Sequence, residues 1–559
     1  PNDLPVRRGQ IIGYTGRTGA TAPHLHFEVR DADEHPVNPL YAGWELKDDA
    51  PPAIRRLECL PLSPESRVNG RCAPVTVDLH AVSPNALAAA ETLSVSGAVG
   101  FGAEVIDRAS SASGNLAPYR VELETDGERL ARIEMRSFSY DQTSEVELVY
   151  DIAEARLGGG HYILLFRRNG ETLGHREFTN DGIITADLVH EEAGGKGHAR
   201  NVVVRATDFA GNVAEARCVV VEAPPAPAPP GEMSDVPVDA GRSVSQTSSR
   251  YRRSDELPGA YFFEGIMSVQ GRGAWSVDTT VTRALYAGIG DSGRRAGEEL
   301  VLSFDSIGEA GRTVSLRLDG STRDIHLMGA RPDAPFRRSF ADLGVDLVAE
   351  AGSVYSNCIL YITAWTGESA GEIPEDAGMR MVTPAVRLGP LAAVFKKSIE
   401  IRFVLGDGER GKLAVCRLDE RKASWSFRPS SRDGGVSAFI REPGVYAVFA
   451  DSVAPTIGSP ELASRRSYAT DETVPEVVIP ITDRGCGVDA ERTEVYVDGI
   501  KQIARWDGFS EKMFVILRDE NIIGEHDLSI VAVDRLGNST RLVTQLHVPP
   551  PNGGKGGGR

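Results

Sequence analysis

Short runs of alternating apolar and polar residues, cut by turn signals, recur along most of this chain. Val314, Leu316 and Leu318 alternate straight into Asp319-Gly320. Val495 and Val497 do the same into Asp498-Gly499, and Val202-Val203-Val204-Arg205-Ala206-Thr207 is another such run. Period 2 places every second side chain on one face of a strand. Asp-Gly supplies the positive φ angles that a two-residue hairpin needs. Fifty-nine glycines and 33 prolines punctuate the runs. This pattern predicts an all-β protein. Short helical pieces are expected only around Asn85–Leu93 and Asp151–Arg156.

At 559 residues the chain is too long for one core. A domain of about 100–200 residues predicts three to five of them. Boundaries follow from composition. Residues 1–47 are glycine-punctuated and strand-like, and 48–222 carry alternating runs. Residues 223–257 open on Ala-Pro-Pro-Ala-Pro-Ala-Pro-Pro and continue polar, which predicts a linker that proteases cut first, around Arg250–Arg253. Strand patterns return over 258–450, as one domain or two, and again over 451–548. Residues 549–559 read as a disordered tail.

Two short elements occur twice. Asp48-Asp49-Ala50-Pro51-Pro52-Ala53-Ile54 and Asp451-Ser452-Val453-Ala454-Pro455-Thr456-Ile457 share D-x-x-x-P-x-I. Ala206 to Asn212 and Ala532 to Asn538 share A-x-D-x-x-G-N. One element opens each block and the other nearly closes it. The blocks resemble two diverged copies of an immunoglobulin-like module of bacterial surface proteins. In D-x-x-G-N a strand ends at the aspartate, and Gly-Asn is expected to supply the positive-φ positions of a tight turn. A calcium site is the alternative. One carboxylate per turn falls short of the six to eight oxygens that calcium takes.

The chemistry-bearing segment is Pro23-His24-Leu25-His26-Phe27-Glu28-Val29. On a strand, His24, His26 and Glu28 share one face, and Leu25, Phe27 and Val29 point the other way into a core. Two imidazoles at i and i+2 can serve one metal-water site, one as ligand and one as proton carrier. Gly9, Gly13, Gly16 and Gly19 precede them and let a loop fold back over the histidine face.

The string Gly9-Gln10 to Gly19 (G-Q-x-I-G-x-x-G-x-T-G), then P-H-L-H-F-E-V, then Val37-Asn38-Pro39-Leu40, resembles the closing half of LytM/lysostaphin-type zinc peptidases. Ala22 stands where that family often has glycine. A lipoyl- or biotinyl-carrier barrel shares the V-x-x-G-Q-x-I strand, but it needs a lysine on a hairpin tip, and no lysine precedes Lys47. The resemblance implies the last part of a peptidase β-sheet core of the duplicated hybrid motif type, followed by β-sandwich modules. It implies a catalytic Zn2+ with His26 as one ligand and His24 as a catalytic residue acting on the attacking water. The other two ligands belong to an H-x-x-x-D element. None occurs in these 559 residues, so the ligands are expected upstream of Pro1 in a longer gene product. The implied substrate is peptidoglycan, cut at a peptide bond. The implied location is the bacterial cell envelope, periplasmic or extracellular.

A formal net charge of −18 disfavours nucleic acid as a partner. No apolar run reaches the roughly 18–20 residues of a transmembrane segment. Cys59, Cys72, Cys218, Cys358, Cys416 and Cys486 form no C-x-x-C pair, which argues against a cysteine zinc site. Cys59 and Cys72 are close enough to pair or to stay as buried thiols. Two other functions compete with the enzyme. One is a non-catalytic LytM-like protein that binds peptidoglycan or regulates hydrolases. The other is an adhesin or scaffold built on residues 48–548.

Overall fold

A computed structural model describes residues 5–10, 25–43, 47–108, 110, 114–185, 199–223, 260–270, 299–308, 311–318, 321–365, 378–406, 411–432, 435–466, 473–517 and 523–550. The expected linker from residue 224 onward, the Asp319-Gly320 turn and the tail from 551 lie outside the described residues, as does His24. The regular structure among the described residues is almost entirely strand, as the alternation predicts.

Between Ala53 and Glu222, two sheets enclose one core. One runs Arg176–Phe178, Glu128–Glu134, Arg120–Thr125, Ala199–Thr207, Val213–Glu222, Ala86–Ala89 and Leu79–Ser83. The other runs Tyr162–Leu164, Ala98–Ile106, Ala53–Pro61 and Val75–Val77. Val202, Val204 and Ala206 face inward against Leu57, Phe101 and Ala103, all fully buried. Alternation on each strand thus becomes a sandwich core.

The helix expected at Asn85–Leu93 is absent. Ala86–Ala89 is a strand, paired parallel to Glu215–Arg217 and antiparallel to Leu79–Ser83. Alanine favours a helix by only a few tenths of a kcal/mol per residue, and two flanking strands outweigh that. The other expected helix forms as Ile152–Leu157. The Asp151 carboxylate caps it, accepting from the Ala153 and Glu154 amides at 3.1 Å each, and Gly158 ends it at φ 78°.

From Ala260 to Asp451 an eight-stranded and a five-stranded sheet close over a second core, including Leu360, Leu388, Val415 and Tyr446 against Leu347, Ile401, Phe403 and Val436. Arg312–Leu318 and Ser321–Ala330 form the expected hairpin, with Leu318 opposite Ser321. Ala260–Phe263, Ile266–Gln270 and Glu299–Ser303 make a smaller sheet. Its Tyr261 and Phe263 pack on Leu60, Leu164 and Phe166 of the first sandwich. Ile152–Leu157 fills the same junction. Its Arg156 guanidinium donates to the carbonyls of Leu391 (2.6 Å) and Ala393 (2.8 Å), and Arg421 donates to those of Ala155 and Arg156.

The last strands, Thr456 to Val548, build a third core around Val477, Ile479, Val495, Leu528 and Ile530. Val497 and Ile500 flank Asp498 (φ 50°) and Gly499 (φ 77°), the two left-handed residues of the expected hairpin turn.

The repeated elements meet. In the first copy, the Asn212 side-chain amide donates to the Asp48 carbonyl and to Asp208 Oδ2, and its backbone amide donates to Asp208 Oδ1. In the second, Asn538 does the same to Asp451 and Asp534. Only the glycines take positive φ, 94° at Gly211 and 82° at Gly537. The asparagines, expected to share that role, act through their side chains instead. More carboxylates gather than the turn alone supplies: Asp48, Asp107 and Asp208 in one copy, and Asp451, Asp483 and Asp534 with Cys486 in the other. Asp208 and Asp534 already use both oxygens to hold their turns.

All six cysteines are buried free thiols, so Cys59 and Cys72 do not pair. Among the described residues no helix is long and apolar enough to cross a membrane.

Candidate functional site

Among the described residues, strand pairing begins at Val29. Val29–Arg30 pairs antiparallel with Pro36–Val37, Val29 opposite Val37 and Arg30 opposite Pro36. The turn between them is held by Asp31, whose side chain accepts from the Asp33 and His35 amides (3.0 and 2.9 Å), with Glu34 at φ 63°. These contacts account for the grouping of Asp31, Asp33 and His35 on the surface.

Val37-Asn38-Pro39-Leu40 then fixes the segment to the first sandwich. Asn38 caps the turn Pro39–Ala42 by accepting from the Leu40 amide at 3.0 Å, and Gly43 ends it at φ 83°. The Asn38 backbone amide donates to the Arg136 carbonyl (2.7 Å), and its side chain donates to that of Met135 (3.1 Å). The Phe138 amide donates to the Pro36 carbonyl at 3.2 Å. Alongside, Tyr41 and Tyr119 share a hydroxyl contact of 2.5 Å, and both rings meet Phe209 edge-on, with centroids 5.2 Å apart.

Among the described residues no core covers the apolar face of Leu25 and Phe27. Leu25 is 77% exposed and Phe27 54% exposed. Among the described residues no strand pairs with 25–28, so no layer covers that side. The polar side of the alternation is organised as the spacing predicts. His26 Nε2 lies 2.7 Å from Glu28 Oε1, and Arg30 Nε donates to Glu28 Oε2 at 2.9 Å. A third partner comes from the sandwich: the Tyr140 hydroxyl donates to Glu28 Oε1 at 2.6 Å. The Arg30 guanidinium lies 5.3 Å from the centre of the Tyr140 ring.

Hydrogen bonds from Tyr140, His26 and Arg30 lower the Glu28 pKa to about 2. The Glu28 carboxylate in turn raises the Tyr140 hydroxyl. A carboxylate only accepts, so the 2.7 Å contact places a proton on Nε2 of His26 and leaves Nδ1 as the ring nitrogen not engaged by Glu28. Metal-binding histidines are commonly arranged this way, with one nitrogen on a carboxylate and the other toward the ion. The donor chemistry of His26 therefore fits a zinc ligand.

Residues 2–39 match the family model of Peptidase family M23. The match spans His24, His26 and Asn38 and covers part of the family's domain. No curated protein matches the chain. Within the matched segment the structure places His26 and Glu28 together. Tyr140 was not foreseen: it lies 112 residues from Glu28, in a stretch with no motif of its own.

Proposed function

We propose that the M23 segment belongs to an exported zinc metallo-endopeptidase that hydrolyses peptide bonds of peptidoglycan, and that the β modules position it in the cell envelope. The match over residues 2–39, with the H-x-H pair inside it, carries this reading. His26 would hold zinc through Nδ1 beside two further protein ligands. The bound zinc supplies a water whose pKa falls toward about 7 and polarises the scissile carbonyl. His24 would act on that water as a proton carrier and would help stabilise the oxyanion.

The β modules suit a positioning role because the junction after the segment is hydrogen-bonded rather than loose, through Asn38, Pro36 and Tyr140. The test is zinc-dependent release of peptide fragments from purified peptidoglycan by the full-length gene product. His26→Ala and His24→Ala are each expected to abolish turnover with the fold retained. A well-folded, zinc-loaded wild type that binds peptidoglycan without cutting it would instead favour the non-catalytic reading.

A further inference from the structure

Glu28 is the midpoint of a three-residue relay, and the far end of that relay belongs to the β module. Oε1 of Glu28 receives the Tyr140 hydroxyl at 2.6 Å and His26 Nε2 at 2.7 Å, while Oε2 receives Arg30. Both oxygens are engaged, so the carboxylate cannot rotate without breaking a charge-assisted hydrogen bond. Without Tyr140, Oε1 of Glu28 would be left with the exposed His26 alone, and only the neighbouring Arg30 would hold the carboxylate.

Tyr140 itself is anchored. It opens the 3-10 turn Tyr140–Leu148, where Ser139 caps the start by accepting from the Asp141 amide and the Thr143 hydroxyl donates to the Tyr140 carbonyl at 2.7 Å. Phe138 packs edge-on against its ring at 5.5 Å. Just upstream, Phe138, Arg136 and Met135 are bonded to Pro36 and Asn38. The hydroxyl is thus delivered to Glu28 by backbone that is locked to the M23 segment on the other side of the contact.

We propose that Tyr140 is a positioning residue for the zinc ligand. Through Glu28 it holds the His26 imidazole by Nε2–H on the carboxylate, which would leave Nδ1 available to a metal. The inference rests on the reading of His26 as a ligand. It adds that the β module contributes a side chain to the order of the metal site, beyond carrying the segment.

The test reads the His26 ring directly. Long-range 15N–1H spectra of the histidine-labelled chain, assigned with His26→Ala, give the tautomer ratio at a pH where the imidazole is neutral. The wild type is expected to be mainly Nε2–H. Tyr140→Phe, which keeps the ring and loses only the hydroxyl, should lower the Nε2–H to Nδ1–H ratio several-fold, and Glu28→Ala should lower it further. In the full-length gene product, competition with a chromophoric chelator should show zinc affinity falling about 10-fold in Tyr140→Phe. Zinc affinity lost in His26→Ala, but unchanged in Tyr140→Phe together with an unchanged tautomer ratio, overturns the inference and leaves the peptidase reading standing. Zinc affinity untouched by His26→Ala overturns the ligand reading and the inference with it.

Discussion

Asn538 donates its side-chain amide to the Asp451 carbonyl at 3.2 Å, across 87 residues of sequence. Asn212 makes the same bond to Asp48 at 3.1 Å across 164 residues. In both copies the asparagine also satisfies a buried aspartate, Asp534 or Asp208. The D-x-x-x-P-x-I and A-x-D-x-x-G-N elements therefore form one clasp, joining the strand that enters a sandwich to the last hairpin that closes it. Asn538→Ala leaves a carboxylate oxygen and a carbonyl short of a donor. The unfolding transition of the last sandwich should lose about 1–3 kcal/mol. Asn212→Ala should do the same to the first. Urea unfolding followed by Trp fluorescence or calorimetry checks this, and losses below about 0.5 kcal/mol in both variants would discard the clasp.

Glu134 provides a pH-dependent contribution. Its side chain is nearly buried on Glu128–Glu134 and is met by Tyr119, Arg132 and Arg136, with Arg120 at 3.6 Å. Burial alone pushes the carboxyl up, but the hydrogen bonds from Tyr119, Arg136 and Arg132 outweigh it and hold the pKa at about 2. An unfolded glutamate titrates near 4.3. The folded pKa is the lower one, so the stabilisation is complete above the unfolded value and is lost as pH falls through about 2. Glu134→Gln should cost about 1–3 kcal/mol at pH 7, and the gap to wild type should close toward pH 2. A gap that is constant with pH would assign the loss to packing.

The first and second sandwiches should unfold as a coupled unit. Arg156 spans 235 residues to reach Leu391, and Arg421 returns to the end of the same helix. Leu148 and Ile152 pack with Tyr355 and Val394 at this junction. Arg156→Ala strands two carbonyls and a partner, Glu147. The double variant Arg156→Ala/Arg421→Ala is expected to split one calorimetric transition into two and to raise the radius of gyration in solution scattering. A single transition and an unchanged radius would mean that the apolar contacts hold the junction without the arginines.

Where a signal was local, the fold was legible in the sequence. Val202, Val204 and Ala206 announce a strand by period, and Asp498-Gly499 a hairpin by its turn chemistry. Ala86–Ala89 misled because its helix propensity is local while its parallel partner, Glu215–Arg217, lies some 130 residues on. The same limit applies at the site. The H-x-H-x-E spacing brought His26 and Glu28 to one side, as it must. Nothing near Tyr140 marks it as a partner of Glu28, because that contact exists only once Asn38 has docked on Arg136 and Met135. The exposed Leu25 and Phe27 show the converse: alternation gives a face its direction, and burial needs a second layer.

The 559-residue chain by itself should neither cut peptidoglycan nor hold zinc tightly. The argument is one of donor count. A catalytic zinc takes three protein ligands and keeps a fourth position for water. His26 is one, and His24 is assigned to water rather than to metal. No H-x-x-x-D element, the implied source of the other two, occurs anywhere in the sequence. Glu28 is taken up by Tyr140, His26 and Arg30, and in the surface group of Asp31, Asp33 and His35 the Asp31 carboxylate already serves the turn that joins Val29–Arg30 to Pro36–Val37. A lone imidazole competes poorly with buffer for zinc. Incubation of the purified chain with zinc and peptidoglycan, beside the full-length gene product, should give fragments only with the latter. A zinc-selective chelator should leave the melting curve of the 559-residue chain unmoved, as expected when His26 alone offers a zinc ligand. Turnover by the 559-residue chain, abolished by His26→Ala, would falsify the donor count and require ligands from elsewhere in this sequence.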